Sequence, residues 1–132
     1  MKNTMEIRVY YADTDHEGVV YYANYLRWFE IGRTEIMRQH GYDYSDIEKK
    51  NIIVPVVEVK CSYNEPARYN DTVILETAIE KIGNSSMKFN YRIMRKKDQK
   101  LLAEGYTVNV FVDRKTMKSV KIPEELRLAL EP

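Results

Sequence analysis

The stretch YADTDHEGVVYYANYLRWFE, residues 11–30, changes character halfway along, and that change decides the fold. Its first half is dense in turn formers, with Asp13, Thr14, Asp15 and Gly18 closing what reads as a loop. From Tyr22 the period becomes helical. Tyr22, Tyr25, Leu26, Phe29, Gly32, Ile36 and Met37 recur on one side, while Arg27, Glu30, Arg38 and Gln39 lie mostly elsewhere. The spacing predicts a helix from about 22 to 39, roughly 27 Å long. Gly41 supplies its C-terminal cap, and His40 beside it suits the negative end of the helix dipole. Gly32 costs this helix about 1 kcal/mol relative to alanine, which close packing of the helix on a sheet would explain. Trp28 and Phe29 read as packing residues on the helix face.

Working outward, Ile7, Val9 and Tyr11 alternate with Arg8 and Tyr10 and predict a short strand before the loop. After the helix, Ser45-Asp46-Ile47-Glu48 has capping-box spacing and predicts one short helical turn. The remainder is β-rich. Ile52–Tyr63, Thr72–Ile82, Met87–Arg95 and Leu101–Val112 are long runs with partial alternation, separated in part by Gly83-Asn84 and Lys97-Asp98-Gln99 turns. Pro123 begins a short terminal helix. The order strand, long helix, four strands predicts an α+β fold: a curved antiparallel meander wrapped around one long helix. One helix covers one face of such a sheet. Val73, Leu75 and Ile79 point one way and Ile74, Ala78 and Ile82 the other, so apolar surface remains for a partner and a homo-oligomer, dimer or tetramer, is expected.

Composition sets the outer bounds. A chain of 132 residues with 21 Lys and Arg against 20 Asp and Glu fits a single domain over residues 1–132. Its net charge of +1 speaks against nonspecific nucleic-acid binding, which needs a basic footprint. The apolar runs are too short for an integral membrane segment, and the opening MKNTMEIRVYY lacks the apolar core of a secretory signal. A lone Cys61 forms no intrachain disulfide and reads as a packed strand residue. A soluble, cytoplasmic protein is expected. Eleven tyrosines, five of them between Tyr10 and Tyr25, point back to the loop and helix start.

The loop invites two chemical readings. Asp13, Asp15, Glu17 and Gly18 match the opening of a calcium loop, but its twelfth position, Asn24, is not the bidentate acid required, and a strand precedes it. The metal reading fails, and neither His16 nor His40 has a partner at ligand spacing. The second reading is electrostatic. A helix N-terminus carries unsatisfied N–H groups and about half a positive charge, so the Tyr22 amide can receive a developing oxyanion. Asp15 then acts as nucleophile or activates water. The chemistry implied is hydrolysis of an activated acyl group; the plainer reading makes Asp and Thr simple loop and cap residues. Asp13 reads as loop-shaping.

The run YADTDHEGVVYYANYLRWFE resembles the defining motif of the hotdog-fold acyl-CoA thioesterases, most of all the 4-hydroxybenzoyl-CoA thioesterase group with its small Tol–Pal-associated bacterial enzymes. The likeness continues through Arg33-Thr34-Glu35 and Tyr63-Asn64-Glu65-Pro66-Ala67-Arg68-Tyr69-Asn70-Asp71 and covers essentially the whole chain. The resemblance implies a hotdog fold and hydrolysis of acyl-CoA to free acid and CoA without a cofactor. It makes Asp15 catalytic and the Tyr22 backbone amide the carbonyl-polarising donor. Many Tol–Pal-associated members carry histidine where this chain has Tyr22, so a backbone donor survives and a histidine side-chain role does not. A thioester is already activated and needs no serine triad; no G-x-S-x-G is present. Tyr21 and Tyr25 are expected as acyl-pocket walls, or equally as packing, and Val56 falls in a segment like the one lining the family's acyl site. Lys88, Arg92, Arg95, Lys96 and Lys97 form a basic stretch able to receive CoA phosphates or simply to protect strand edges, and Ser86 is expected to hydrogen-bond a phosphate or to close the Gly83-Asn84 turn. Two other functions are compatible: hydrolysis of acyl–acyl-carrier-protein, and acyl-CoA binding without turnover.

Overall fold

The computed structural model describes residues 2–131. In chain order it contains β1 (Lys2–Arg8), α1 (Asn24–Gln39), α2 (Tyr44–Glu48), β2 (Ile52–Ile53), β3 (Val56–Tyr63), β4 (Thr72–Ile82), β5 (Ser86–Arg95), β6 (Leu101–Val110), β7 (Val112–Asp113) and α3 (Glu124–Leu130). Five strands form one antiparallel sheet in the order β1-β4-β5-β6-β3, and β2 pairs separately with β7.

α1 lies against β4, β1 and β5. It buries Tyr25, Phe29, Gly32, Ile36 and Met37 of the face that its periodicity marks out, whereas Tyr22 and Leu26, expected on that face, are exposed at its start. Trp28, Phe29, Ile36 and Met37 are buried, as are Leu75, Phe89, Tyr91 and Ile93 opposite them. Phe29 stacks on Tyr91 with ring centroids 4.1 Å apart. The Tyr91 hydroxyl, which would otherwise be orphaned in this core, meets Thr107 Oγ1 at 2.6 Å. Gly32 is where the helix comes closest to the sheet. A Cβ there would stand 2.1 Å from Thr77 Oγ1 and 3.2 Å from Leu75 Cδ2, so the missing side chain is a packing requirement.

The helix end agrees with the expected cap. Gly41 has φ +84° and donates to the Arg38 carbonyl at 3.0 Å, while His40 Nδ1 lies 2.8 Å from the Ile36 carbonyl oxygen. Four local expectations are corrected. The first strand is Lys2–Arg8, and Tyr11 belongs to a 3-10 turn rather than to the strand. The capping box of α2 uses Asp43 and Asp46, with the Ser45 amide donating to Asp43 Oδ1 at 2.9 Å, so Ser45 lies inside the helix. The run Ile52–Tyr63 is broken at Val54-Pro55, because proline cannot donate to the ladder. Pro123 caps α3 from outside its first turn.

The larger correction concerns topology. Only β4, β5 and β6 form the meander; β3 sits beyond β6 on the far edge, and β1 occupies the place beside β4. The segment Asn64–Asp71 carries the chain back across the sheet, held by the Asn64 and Glu65 amides donating to the Leu102 carbonyl at 2.8 and 3.2 Å. The exposed apolar surface moves accordingly. Val73 and Leu75 of β4 are buried and Ile74, Ala78 and Ile82 half-buried, whereas Val57, Val59 and Tyr63 of β3 are exposed at 61%, 47% and 47%. Among the described residues no helix is long and apolar enough to cross a membrane.

Candidate active site

The loop before α1 is built around Asp13. Its carboxylate accepts from the Tyr10 amide at 2.9 Å and from Arg27 Nη2 at 3.1 Å. Its carbonyl accepts from the Tyr21 amide at 2.9 Å and from Asn24 Nδ2 at 2.8 Å. One residue thereby ties the end of β1 to the start of the helix, which is a loop-shaping arrangement in full. Between these anchors the chain makes a tight hairpin: Thr14 pairs with Val20, the Asp15 amide donates to Val19 O at 2.8 Å, and Gly18 adopts φ +84°. Asp15 occupies the first arm of that hairpin, with Oδ1 accepting from the Glu17 amide at 2.8 Å. Its second carboxylate oxygen accepts no hydrogen bond among the described residues.

α1 begins at Asn24, two residues later than expected, through a turn in which Asn24 donates to Tyr21 O at 2.9 Å and Leu26 to Ala23 O at 3.1 Å. The Tyr22 and Ala23 amides precede these bonds and have no acceptor among the described residues. They are the orphan donors that every helix start produces. Tyr22 is 62% exposed at this corner.

Tyr63 completes this corner from the end of β3. Its hydroxyl donates to the Tyr22 carbonyl at 2.9 Å, fixing the peptide that follows the free amide. Its ring meets Tyr22 and Tyr25 edge-on, at centroid separations of 6.4 and 5.1 Å. Tyr25 is buried and its hydroxyl accepts from the Ala67 amide at 3.0 Å, so it both packs and holds the return segment in place. Val20, Tyr22, Tyr25, Tyr63 and Pro66 are among the residues lining a cavity of about 220 Å³ at this corner. Tyr21 lies 4.9 Å from Tyr22, ring to ring. Its phenol is raised above the usual range, first by its interaction with the neighbouring Tyr22 side chain, then by burial and by the Asp15 carboxylate. Burial pushes up the Tyr25 phenol, and burial together with Cys61 pushes up that of Tyr63.

The expected site residues separate into two groups. Asp15, Tyr21, Tyr22 and Tyr25 gather at one end of the sheet. Val56, Ser86 and Lys88 lie at the other end, where Val56 pairs with Asn109, Asn109 with Met87, and Lys88 with Val108. Along β3 that is seven residues from Tyr63, roughly 23 Å. Lys88 is engaged there by Glu80 at 2.9 Å and lies over the Tyr106 ring at 4.3 Å. The basic stretch is likewise partly spoken for, with Arg95 held by Asp71 and Asp98 and Lys96 by Glu6. Tyr63 received no role from the sequence on its own. Its bond to Tyr22 spans 41 positions, and no local pattern announces it.

Among the described residues no His, Cys, Asp and Glu side chains cluster as a metal site. The thioesterase-like superfamily model matches residues 9–130. YneP of Bacillus subtilis is 37% identical over 116 residues, covering 88% of this chain and 83% of its own. The acyl-CoA thioester hydrolase YbgC of Escherichia coli is 33% identical over 120 residues, covering 91% and 89%. Among solved structures, the DHNA-CoA thioesterase of Staphylococcus aureus superposes with a TM-score of 0.92 at 30% identity, over 97% of this chain and 87% of that one. The sheet wrapped around α1 is thus the hotdog fold, and by sequence and structure alike the chain belongs to the thioesterase-like superfamily, whose chemistry is thioester hydrolysis.

Proposed function

We propose that this protein hydrolyses acyl-CoA thioesters, with Asp15 as base or nucleophile and the Tyr22 amide as oxyanion donor. The observation that carries this reading is the acceptor-free Tyr22 N–H beside a loop that presents the Asp15 carboxylate. A thioester carbonyl placed against that amide gains a donor whose strength grows as charge develops on oxygen. With Asp15 as base, a water oxygen adds to the carbonyl carbon and its proton passes to the carboxylate. The tetrahedral oxyanion rests on the Tyr22 amide, then collapses and expels the CoA thiolate. With Asp15 as nucleophile, the carboxylate adds instead, collapse again breaks the C–S bond and expels the CoA thiolate, and water cleaves the resulting Asp15–acyl anhydride. Names among the relatives support the CoA ester as substrate class, since both YbgC and the staphylococcal enzyme are described as acting on CoA thioesters. Release of free CoA thiol from a panel of short, long and aromatic acyl-CoAs tests the reading; binding of those esters with no turnover contradicts it.

The active form is a homo-oligomer built along β3. That strand is an unpaired sheet edge and carries the exposed Val57, Val59 and Tyr63, a combination that invites pairing with a second copy. Antiparallel pairing of two β3 edges lays the Val56 end of one against the Tyr63 end of the other. It would bring Val56, Ser86 and Lys88 of one copy toward Asp15 and Tyr22 of the next, reuniting the two groups that a single chain keeps apart. Light scattering is expected to give a dimer or a multiple of it at micromolar concentration, and a 15.7 kDa monomer contradicts the arrangement.

A further inference from the structure

We infer that the nucleotide end of the CoA ester is received by a tyrosine platform, Tyr11 and Tyr69, with Arg8 facing its phosphates; this rests on the acyl-CoA reading. Tyr11 and Tyr69 stack at a centroid separation of 3.8 Å and an interplanar angle of 8°. Tyr11 is 72% exposed and Tyr69 46%, and the neighbouring Tyr10 is 66% exposed. Such a pair presents a flat apolar face to solvent, already held in place by its own stacking. The outer π-face of such a stack suits a planar base, and sequence-tolerant stacking on tyrosine is a standard way to hold one.

The charge beside the platform has the right sign. Arg8, Val9, Tyr10, Tyr69 and Asn70 line a cavity of about 200 Å³. Arg8 is oriented by its bond to Asn70 Oδ1 at 3.1 Å and forms no ion pair among the described residues; nor does Arg68. Lys88, Arg95 and Lys96, by contrast, already have carboxylate partners. A free guanidinium is a good phosphate ligand because its planar fork matches two oxygens.

Position ties the platform to the reacting end. Tyr11 precedes Asp15 by four residues, so the two are separated by at most about 14 Å of chain. The other half is fastened to the same loop, since Val19 of the catalytic hairpin pairs with Arg68 and the Val9 amide donates to Asp71 O at 2.8 Å. The platform and the Tyr22 amide thus flank one loop, and in a CoA ester the pantetheine arm and diphosphate lie between the thioester carbonyl and the base.

The test compares matched acyl-CoA and acyl-pantetheine thioesters, which share the acyl group and the pantetheine arm and differ in the nucleotide diphosphate. Tyr69→Ala is expected to raise KM for acyl-CoA about tenfold, the size of one lost base stack, with kcat and the KM for the truncated ester unchanged. Arg8→Met is expected to raise KM for acyl-CoA and to flatten its dependence on salt. Adenosine 3′,5′-bisphosphate should compete with acyl-CoA in the wild type and more weakly in both variants. Equal changes for the two esters, which would mean a distorted loop, overturn the inference, as does no change for either. If the wild type turns over neither ester, the acyl-CoA reading falls and takes this one with it. Turnover of both with unmoved KM values removes the platform alone.

Discussion

Asp15→Asn is expected to lower kcat by about 10²–10⁴-fold, the range that a positioned acid–base group supplies, with KM little changed. The substitution is mild in every other respect. An asparagine Oδ1 can still accept from the Glu17 amide, so the hairpin that presents residue 15 keeps its internal bond. The thermal midpoint should stay where it is, because the carboxylate has no partner in an ion pair or buried network among the described residues. Stopped-flow or endpoint detection of CoA thiol measures the change directly. Wild-type turnover in Asp15→Asn would remove the carboxylate from the mechanism. Asp13→Asn is the natural contrast, since Asp13 works through Tyr10, Arg27, Tyr21 and Asn24 rather than on a substrate.

The second large effect concerns stability. Gly105 of β6 pairs with Cys61 of β3, and a Cβ added there would lie 1.9 Å from the Lys60 carbonyl oxygen, 2.9 Å from its carbon and 3.0 Å from Cys61 Cα. All three are backbone atoms, so relief requires moving the strand. Overpacking of this kind costs about 1–3 kcal/mol and occasionally more. The upper end applies here because the ladder itself must shift, and in a chain of this size Gly105→Ala should lower the thermal midpoint by on the order of 10 °C. Gly32 offers a milder case, as its nearest obstacle, Thr77 Oγ1, belongs to a side chain that can rotate. The Gly105 effect should also reach activity, since Tyr63, which fixes the Tyr22 peptide, lies two residues beyond Cys61 on the displaced strand. A midpoint equal to wild type would mean that β3 and β6 are less closely joined than their register indicates.

Much of this was legible in the sequence, for local reasons. α1 announces itself through the spacing of Tyr25, Phe29, Ile36 and Met37 and through Gly41 at its end, because helix periodicity and capping are short-range. β4, β5 and β6 are legible because tight turns join them. The position of β3 is not local. Nothing in Val56–Tyr63 says whether the strand lies beside β4 or beside β6, and the one available signal is the Asn64–Asp71 segment, too long for a hairpin. With β3 at the far edge of the sheet, the exposed apolar face lies on that strand and not on β4. The site shows the same division. Asp13, Asp15 and Tyr22 share one short motif and are legible together, whereas Tyr63 meets them from the end of β3 and Tyr69 from the return segment.

The account depends most on the Tyr22 amide, which side-chain substitution cannot remove. Replacing Tyr22 by its α-hydroxy analogue exchanges that N–H for an ester oxygen and leaves the tyrosine ring in place. The same exchange at Ala23 serves as control for the weakened helix start. Loss of an oxyanion donor lowers kcat by about 10²–10³-fold, and that is the result predicted at Tyr22, with the Ala23 ester close to wild type. Equal turnover by the two esters and the wild type would contradict the account.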